Sequence, residues 1–238
     1  MRRSTRYLAE DFSGGVHARQ VKQPGKMPNA GKNSRCAWPK SPVGAALRLC
    51  YLVFMAAVLE KQAKRWTYEE YYRLDDDQRY EIIDGNLLMA PAPDTWHQDW
   101  ARKLFRLVDG FVTRNKLGDV YFAPIDVVLD PENTVQPDIV FVSAANAGIV
   151  QRRAIFGTPD LLVELVSPSS VRRDRYDKKD LYARFGVKEY WIGDPANKSL
   201  EILTLKAGRY ELHCAAEEKG KLTSLVLAGL EFDLAEIQ

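Results

Sequence analysis

The fold turns on Leu161-Leu-Val-Glu-Leu-Val-Ser-Pro-Ser-Ser170. The first six residues are apolar except Glu164, the pattern of a strand buried on both faces. Ser167-Pro-Ser-Ser170 stops the strand. A charged helix then runs from about Arg173 to Phe185 and ends at Gly186, a residue suited to a left-handed helix terminus. Glu189-Tyr-Trp-Ile-Gly193 is strand again.

Working outward, Thr67-Tyr-Glu-Glu-Tyr-Tyr-Arg-Leu74 predicts a short helix, with Thr67 and Glu70 as a capping box. Tyr80–Met89 reads as two strands around Asp84-Gly85-Asn86. Pro91 and Pro93 break the chain, and from Thr95 the period is helical, with Trp100, Leu104, Leu107, Val108, Phe111 and Val112 in one stripe. His97 opens that inward face and reads first as a capping or core histidine, its alternative being an approach to a functional site. Ile125–Asp130 and Asp138–Val142 are strands. Ser199–Leu205, Arg209–His213 and Ser224–Leu227 supply hairpin material around Ala207-Gly208. The residues thus predict a mixed α/β sandwich around one central sheet.

The 238 residues carry a formal charge of +2, unevenly spread. Residues 1–54 hold ten Lys/Arg against Glu10 and Asp11, whereas residues 55–238 hold 24 Lys/Arg against 30 Asp/Glu. A basic extension without hydrophobic period, read as disordered, precedes an acidic body. Between them lies the apolar run Val43–Leu59, broken by Arg48. A membrane span needs about twenty apolar residues and tolerates a central charge poorly. A secretory signal would start closer to the N-terminus. The shift in composition favours translation starting at Met55, with a helix packed on the domain as the other reading. The expected organisation is 1–54 extension, 55–65 lead-in and 66–238 domain. Cys36, Cys50 and Cys214 form no C-x-x-C pair, so they indicate neither a disulfide framework nor a zinc site. A cytoplasmic compartment with no membrane association is expected, a membrane tether through residues 43–59 being the alternative if translation starts at Met1.

Glu164 carries the most chemical information. An ionised carboxylate in a central strand is costly unless a cation or donors compensate it. Asp138, after Pro137, opens another apolar strand, and two carboxylates on neighbouring strands suit a divalent cation with oxygen ligands. Read singly, Asp138 is a turn residue, and Glu164 is as well explained by a buried salt bridge. On the following helix, Asp174, Leu181, Tyr182 and Phe185 all fall within about 60° of Lys178. Lys178 is therefore on the core face, where a lysine either snorkels or meets a buried anion. Glu164 is the obvious partner, and Asp174 can hold the lysine at i,i+4.

Several short segments then occur in order: Arg65-Trp-Thr-Tyr-Glu-Glu-Tyr, Tyr80-Glu-Ile-Ile-Asp-Gly, Pro91-Ala-Pro with His97-Gln98, and Gln136-Pro-Asp-Ile-Val-Phe-Val. Val163-Glu-Leu-Val-Ser-Pro-Ser-Ser, Asp174-x-x-x-Lys178-x-x-x-Tyr182, Gly186-Val-x-Glu-Tyr-Trp and Asp194-Pro195 complete the series. Together they resemble the Uma-two family within the PD-(D/E)XK nuclease superfamily, over roughly residues 65–238. The resemblance implies a restriction-endonuclease-like α/β fold, a central mixed sheet flanked by helices with a C-terminal hairpin. It also implies a metal-dependent DNA endonuclease. The family's Asp falls on Asp138 and its Glu on Glu164. The superfamily lysine position, two residues after the Glu, is Val166 here, and the resemblance moves the lysine to Lys178. Glu81 is implied as a further acidic member, its ordinary alternative being an exposed strand carboxylate. The implied cofactor is Mg²⁺, or Mn²⁺, held by Asp138, Glu164 and the Leu165 carbonyl. DNA is the implied partner, and a homodimer suits a duplex cutter. No small-molecule cofactor is implied.

The acidic body weighs against general nucleic-acid affinity, which phosphate neutralisation mostly supplies. The cations Arg172, Arg173, Arg175 and Lys179 gather around the active-site helix, where they read equally as a solvated face. The alternative function is a catalytically inactive nuclease-fold protein that binds nucleic acid or a protein partner. Val166 in the lysine position is compatible with it.

Overall fold

The computed structural model of the protein describes residues 64–238, apart from Asp77, Pro91, Pro168 and Ser169. The basic extension 1–54, the apolar run 43–59 and the start at Met55 lie outside the described residues. Helix α1 (Tyr68–Tyr71) carries the predicted capping box: Glu70 N–H donates to Thr67 Oγ1, and Thr67 N–H donates to the Glu70 carboxylate at 3.0 Å. Strands β1 (Tyr80–Ile83) and β2 (Asn86–Met89) form a hairpin. Its two turn residues, Asp84 and Gly85, have φ of 49° and 75°. Two positive φ angles match the right-handed strand twist, and the Asp-Gly pair tolerates them.

Helix α2 (Thr95–Asn115) starts at Asp94, whose Oδ1 accepts the His97 N–H at 2.8 Å. Its apolar stripe buries Trp100, Leu104, Val108 and Val112, with Leu107 and Phe111 partly covered. The strands that follow are β3 (Gly118–Phe122), β4 (Val127–Asp130), β5 (Asn133–Val135), β6 (Ile139–Ser143), β7 (Ile155–Phe156) and β8 (Leu161–Leu165). Helix α3 is π-helical over Arg173–Lys178 and α-helical over Lys179–Phe185, and it ends at Gly186 with φ 82°. Strands β9 (Glu189–Asp194), β10 (Ser199–Lys206), β11 (Arg209–Glu217), β12 (Lys221–Thr223) and β13 (Glu231–Asp233) complete the chain.

The mixed α/β class and the hairpin β10–β11 agree with the sequence. The strands, however, divide between two main sheets rather than entering one. A six-stranded sheet has the order β11-β10-β9-β8-β6-β3, and a five-stranded sheet the order β2-β1-β5-β4-β7. Both are mixed: β8 runs parallel to β9 across α3, and β4 parallel to β7, while the other pairs are antiparallel. Residues 224–227, expected as strand, form a turn instead, for a reason given in the Discussion.

Period-two alternation assigns each strand residue to one side of the six-stranded sheet. Ile139, Phe141, Leu161, Val163, Leu165 and Trp191 face α2 in one core. Val140, Val142, Leu162, Tyr190 and Ile192 face the other core, with Leu181 and Tyr182 of α3 and Val127 and Val135 of the five-stranded sheet. Glu164 falls in phase with Leu162 and Val166. Its side chain therefore belongs to the second side, between the sheets and α3. Among the described residues no helix is long and apolar enough to cross a membrane.

Candidate active site

A cleft of about 470 Å³ opens where the two sheets, α2 and α3 meet. Glu81, Asp138, Glu164, Leu165 and Lys178 all line it, together with His97, Arg173 and Asp174. Lys178 is the hub. Its Nζ lies 2.7 Å from Glu81 Oε1, 2.9 Å from Glu164 Oε1 and 3.5 Å from Asp174 Oδ1. Glu81 reaches it from β1 of the five-stranded sheet, Glu164 from β8 of the six-stranded sheet, and Asp174 from one turn earlier on α3. The Tyr182 hydroxyl, one turn later, also donates to Glu164 Oε1 at 2.7 Å. Asp174, Lys178 and Tyr182 thus share the inward face that the four-residue spacing predicted. The π-helical stretch carrying the first two is pinned by Tyr190, whose hydroxyl donates to the Asp174 carbonyl at 2.9 Å.

Ile139 pairs with Val163 in the antiparallel ladder, and continuing that register sets Asp138 opposite Glu164. Asp138 is tied on both oxygens. The Leu165 N–H donates to Oδ2 at 2.7 Å, and His97 Nε2 lies 2.8 Å from Oδ1. Asp138 is accordingly not an isolated turn residue. His97 does not end as a core or capping histidine: its backbone N–H meets the cap residue, while its ring enters the cleft. Glu81 is not an exposed strand carboxylate but is buried, with Arg173 Nη1 3.2 Å from Oε2 and the Gln136 N–H donating to Oε1 at 3.0 Å.

A family model described as "Putative restriction endonuclease", Uma2, matches residues 68–235. The chain belongs to the Uma2 family. A crystal structure of a "putative nuclease belonging to DUF820" from Anabaena variabilis is similar in fold, with a TM-score of 0.60 at 15% identity, covering 72% of this chain and 96% of that one. No curated protein matches the chain.

The electrostatics of this Uma2 protein separate two carboxylates that contact the same lysine. Burial pushes the Glu164 carboxyl up. Lys178 opposes that, but Asp174, Asp138 and Glu81 add to it, and the group ends well above the usual glutamate value. Burial also pushes Glu81 up, but Lys178, the Gln136 N–H and Arg173 outweigh it and hold Glu81 below the usual value. Burial alone would lower Lys178; Glu164, Glu81 and Asp174 reverse this and raise it well above 10.5. Burial lowers His97, yet Asp138, Asp94 and Asp174 together raise it above its usual value.

Four carboxylates therefore face Lys178, Arg173 and His97 in a cleft where Glu164 is held upward partly by its own acidic neighbours. A site short of positive charge and rich in carboxylate oxygen suits a hard divalent cation. Among the described residues no group of three or more His, Cys, Asp or Glu side chains is placed to hold a metal ion. Mg²⁺ does not need one, since it keeps several waters and takes one or two carboxylates. The residues present fit the ion that the family implies.

Proposed function

We propose that this Uma2 protein is a metal-dependent endonuclease that hydrolyses phosphodiester bonds in DNA. Asp138, Glu164 and the Leu165 carbonyl would hold Mg²⁺ or Mn²⁺. When bound, the ion supplies Lewis-acid polarisation of a phosphoryl oxygen and acidification of water. In the reaction, water adds to phosphorus and the P–O3′ bond breaks, leaving a 5′-phosphate and a 3′-hydroxyl. Lys178 stays an ammonium ion throughout the neutral range because three carboxylates face it. It is therefore not a general base. It orients the attacking water and offsets charge developing on the phosphoryl oxygens. Glu81 and Asp174 fix the lysine, Tyr182 fixes Glu164, and His97 holds Asp138 in register.

The observation that carries this reading is the clamping of Lys178 Nζ between Glu81 at 2.7 Å and Glu164 at 2.9 Å on the wall of an open cleft. A purely structural ion network has no need of a cleft. The test is incubation of the protein and its Glu164→Ala variant with supercoiled plasmid and single-stranded circular DNA, in Mg²⁺, Mn²⁺ or EDTA. Metal-dependent cleavage by the parent, lost in the variant, is the expected result. Equal cleavage by both rejects the site.

A second reading is a non-catalytic nuclease-fold protein that binds nucleic acid or a protein partner. One observation favours it: Lys178 spends its donors on protein carboxylates, and Val166 stands where the superfamily motif has lysine. Folded protein that neither cleaves nor binds metal would establish it.

A further inference from the structure

Two exposed aromatic side chains lie one in each of two grooves that share Asp138. Trp96 is 67% exposed and lines the catalytic cleft. It adjoins His97, whose ring meets Asp138 at 2.8 Å. Phe122 is 62% exposed and lines a second groove of about 490 Å³. That groove shares Gln98, Ala123 and Asp138 with the first, so the two are continuous across Asp138. Phe122 adjoins Ala123, whose N–H donates to the Asp138 carbonyl at 3.0 Å. Its ring meets Phe105 edge-on, centroids 4.8 Å apart and planes inclined at 64°, while most of its surface stays exposed. Scattered exposed aromatics are ordinary. Two that stand one residue from groups touching Asp138, one at its carboxylate and one at its backbone carbonyl, in grooves that share it, are not scattered.

We propose that the site takes unpaired nucleotides, with bases on either side of the scissile phosphate stacking on Phe122 and Trp96. The proposal rests on the phosphodiesterase reading and names its substrate class. In a duplex each base face is already covered by its neighbours, so a protein ring can stack only on a base that is unpaired or extruded. The charge balance points the same way. Residues 55–238 hold 24 Lys/Arg against 30 Asp/Glu. Duplex binding draws most of its affinity from phosphate neutralisation over many contacts, which this body is poorly equipped to give. Stacking supplies affinity without it. DNA and RNA strands offer the same base faces.

The full chain is titrated, in EDTA to prevent cleavage, into a short fluorescein-labelled single strand of mixed sequence, made as DNA and as RNA, and into the DNA duplex of that sequence. Anisotropy reads the Kd. At least one single strand binds tighter than the duplex by about tenfold or more. Phe122→Ala and Trp96→Ala each weaken single-strand binding by about tenfold, and Phe122→Tyr restores it. The single strand quenches tryptophan emission in the parent and less in Trp96→Ala. Equal or tighter duplex binding overturns the proposal. So does parent-like single-strand binding by both alanine variants, or no binding of any oligonucleotide. Glu164→Ala separates the two claims. Lost cleavage is the signature of the catalytic reading, whereas the single-strand preference of that same variant persists if the aromatic faces carry it.

Discussion

Two glutamates lie buried on adjacent parallel strands of one sheet and have opposite fates. Glu189, on β9, is 0% exposed and wholly occupied by neutral donors. Trp191 Nε1 at 2.7 Å, Ser224 Oγ at 2.6 Å and the N–H groups of Leu225 and Val226 at 2.7 and 3.1 Å all point at it. Glu164, on β8, is 4% exposed, receives Lys178 and Tyr182, and is surrounded by three further acids beside a cleft. Burial of a carboxylate is therefore not itself a functional signal. Glu189 is an anchor: it organises the turn 224–227 and fastens the C-terminal segment to the sheet. Glu164 belongs to a group in which four carboxylates share Lys178, Arg173 and His97 beside an open cleft.

That contrast can be broken at several points. Lys178→Met has the largest expected effect, because it leaves buried carboxylates without their cation. Urea unfolding should show a loss of about 3–5 kcal/mol. An unchanged midpoint would mean that the acids are already neutral and that no ion network exists. Glu189→Ala removes the acceptor from four donors at once and should cost about 3 kcal/mol. Cleavage per folded molecule should stay unchanged, and a loss of cleavage in well-folded protein would dissolve the division between anchor and site. Ser224→Ala removes one of those donors and should cost about 1 kcal/mol in the same assay.

The smallest change is one of pH dependence. Burial and acidic neighbours raise Glu164 above its usual 4.5, so its ionised form is the costly one. Its contribution to metal-free stability is most favourable below pH 4.5 and declines as pH rises through the raised value. Glu164→Gln should flatten that decline in urea titrations. A steeper decline in the variant would mean that Lys178 overcompensates the carboxylate.

Local chemistry explains what was legible in the sequence. A lone charge in an apolar strand marked Glu164, four-residue spacing put Asp174, Lys178 and Tyr182 on one face, and the capping box and the α2 stripe are local patterns. Glu81 was reached only through the family resemblance, because its approach to Lys178 depends on how one sheet packs against another. His97 was read first as core or cap, with approach to the site as the alternative, because helical period reports which way a side chain points, not that a strand end carrying Asp138 lies there. Arg173 was read equally as a cation for nucleic acid and as part of a solvated face, whereas its guanidinium reaches Glu81. The segment 224–227 has strand-like composition, but Glu189, distant in sequence, gathers its hydroxyl and N–H groups into a turn that the Leu227 N–H to Ser224 Oγ bond also closes.

The central claim is that the Glu164 cluster takes a divalent cation and the Glu189 anchor does not. Calorimetric titration of Mn²⁺ into the parent, Glu164→Gln and Glu189→Gln tests it most directly. The account predicts saturable binding to the parent and to folded Glu189→Gln, and none to Glu164→Gln. Parent-like binding by Glu164→Gln would contradict it.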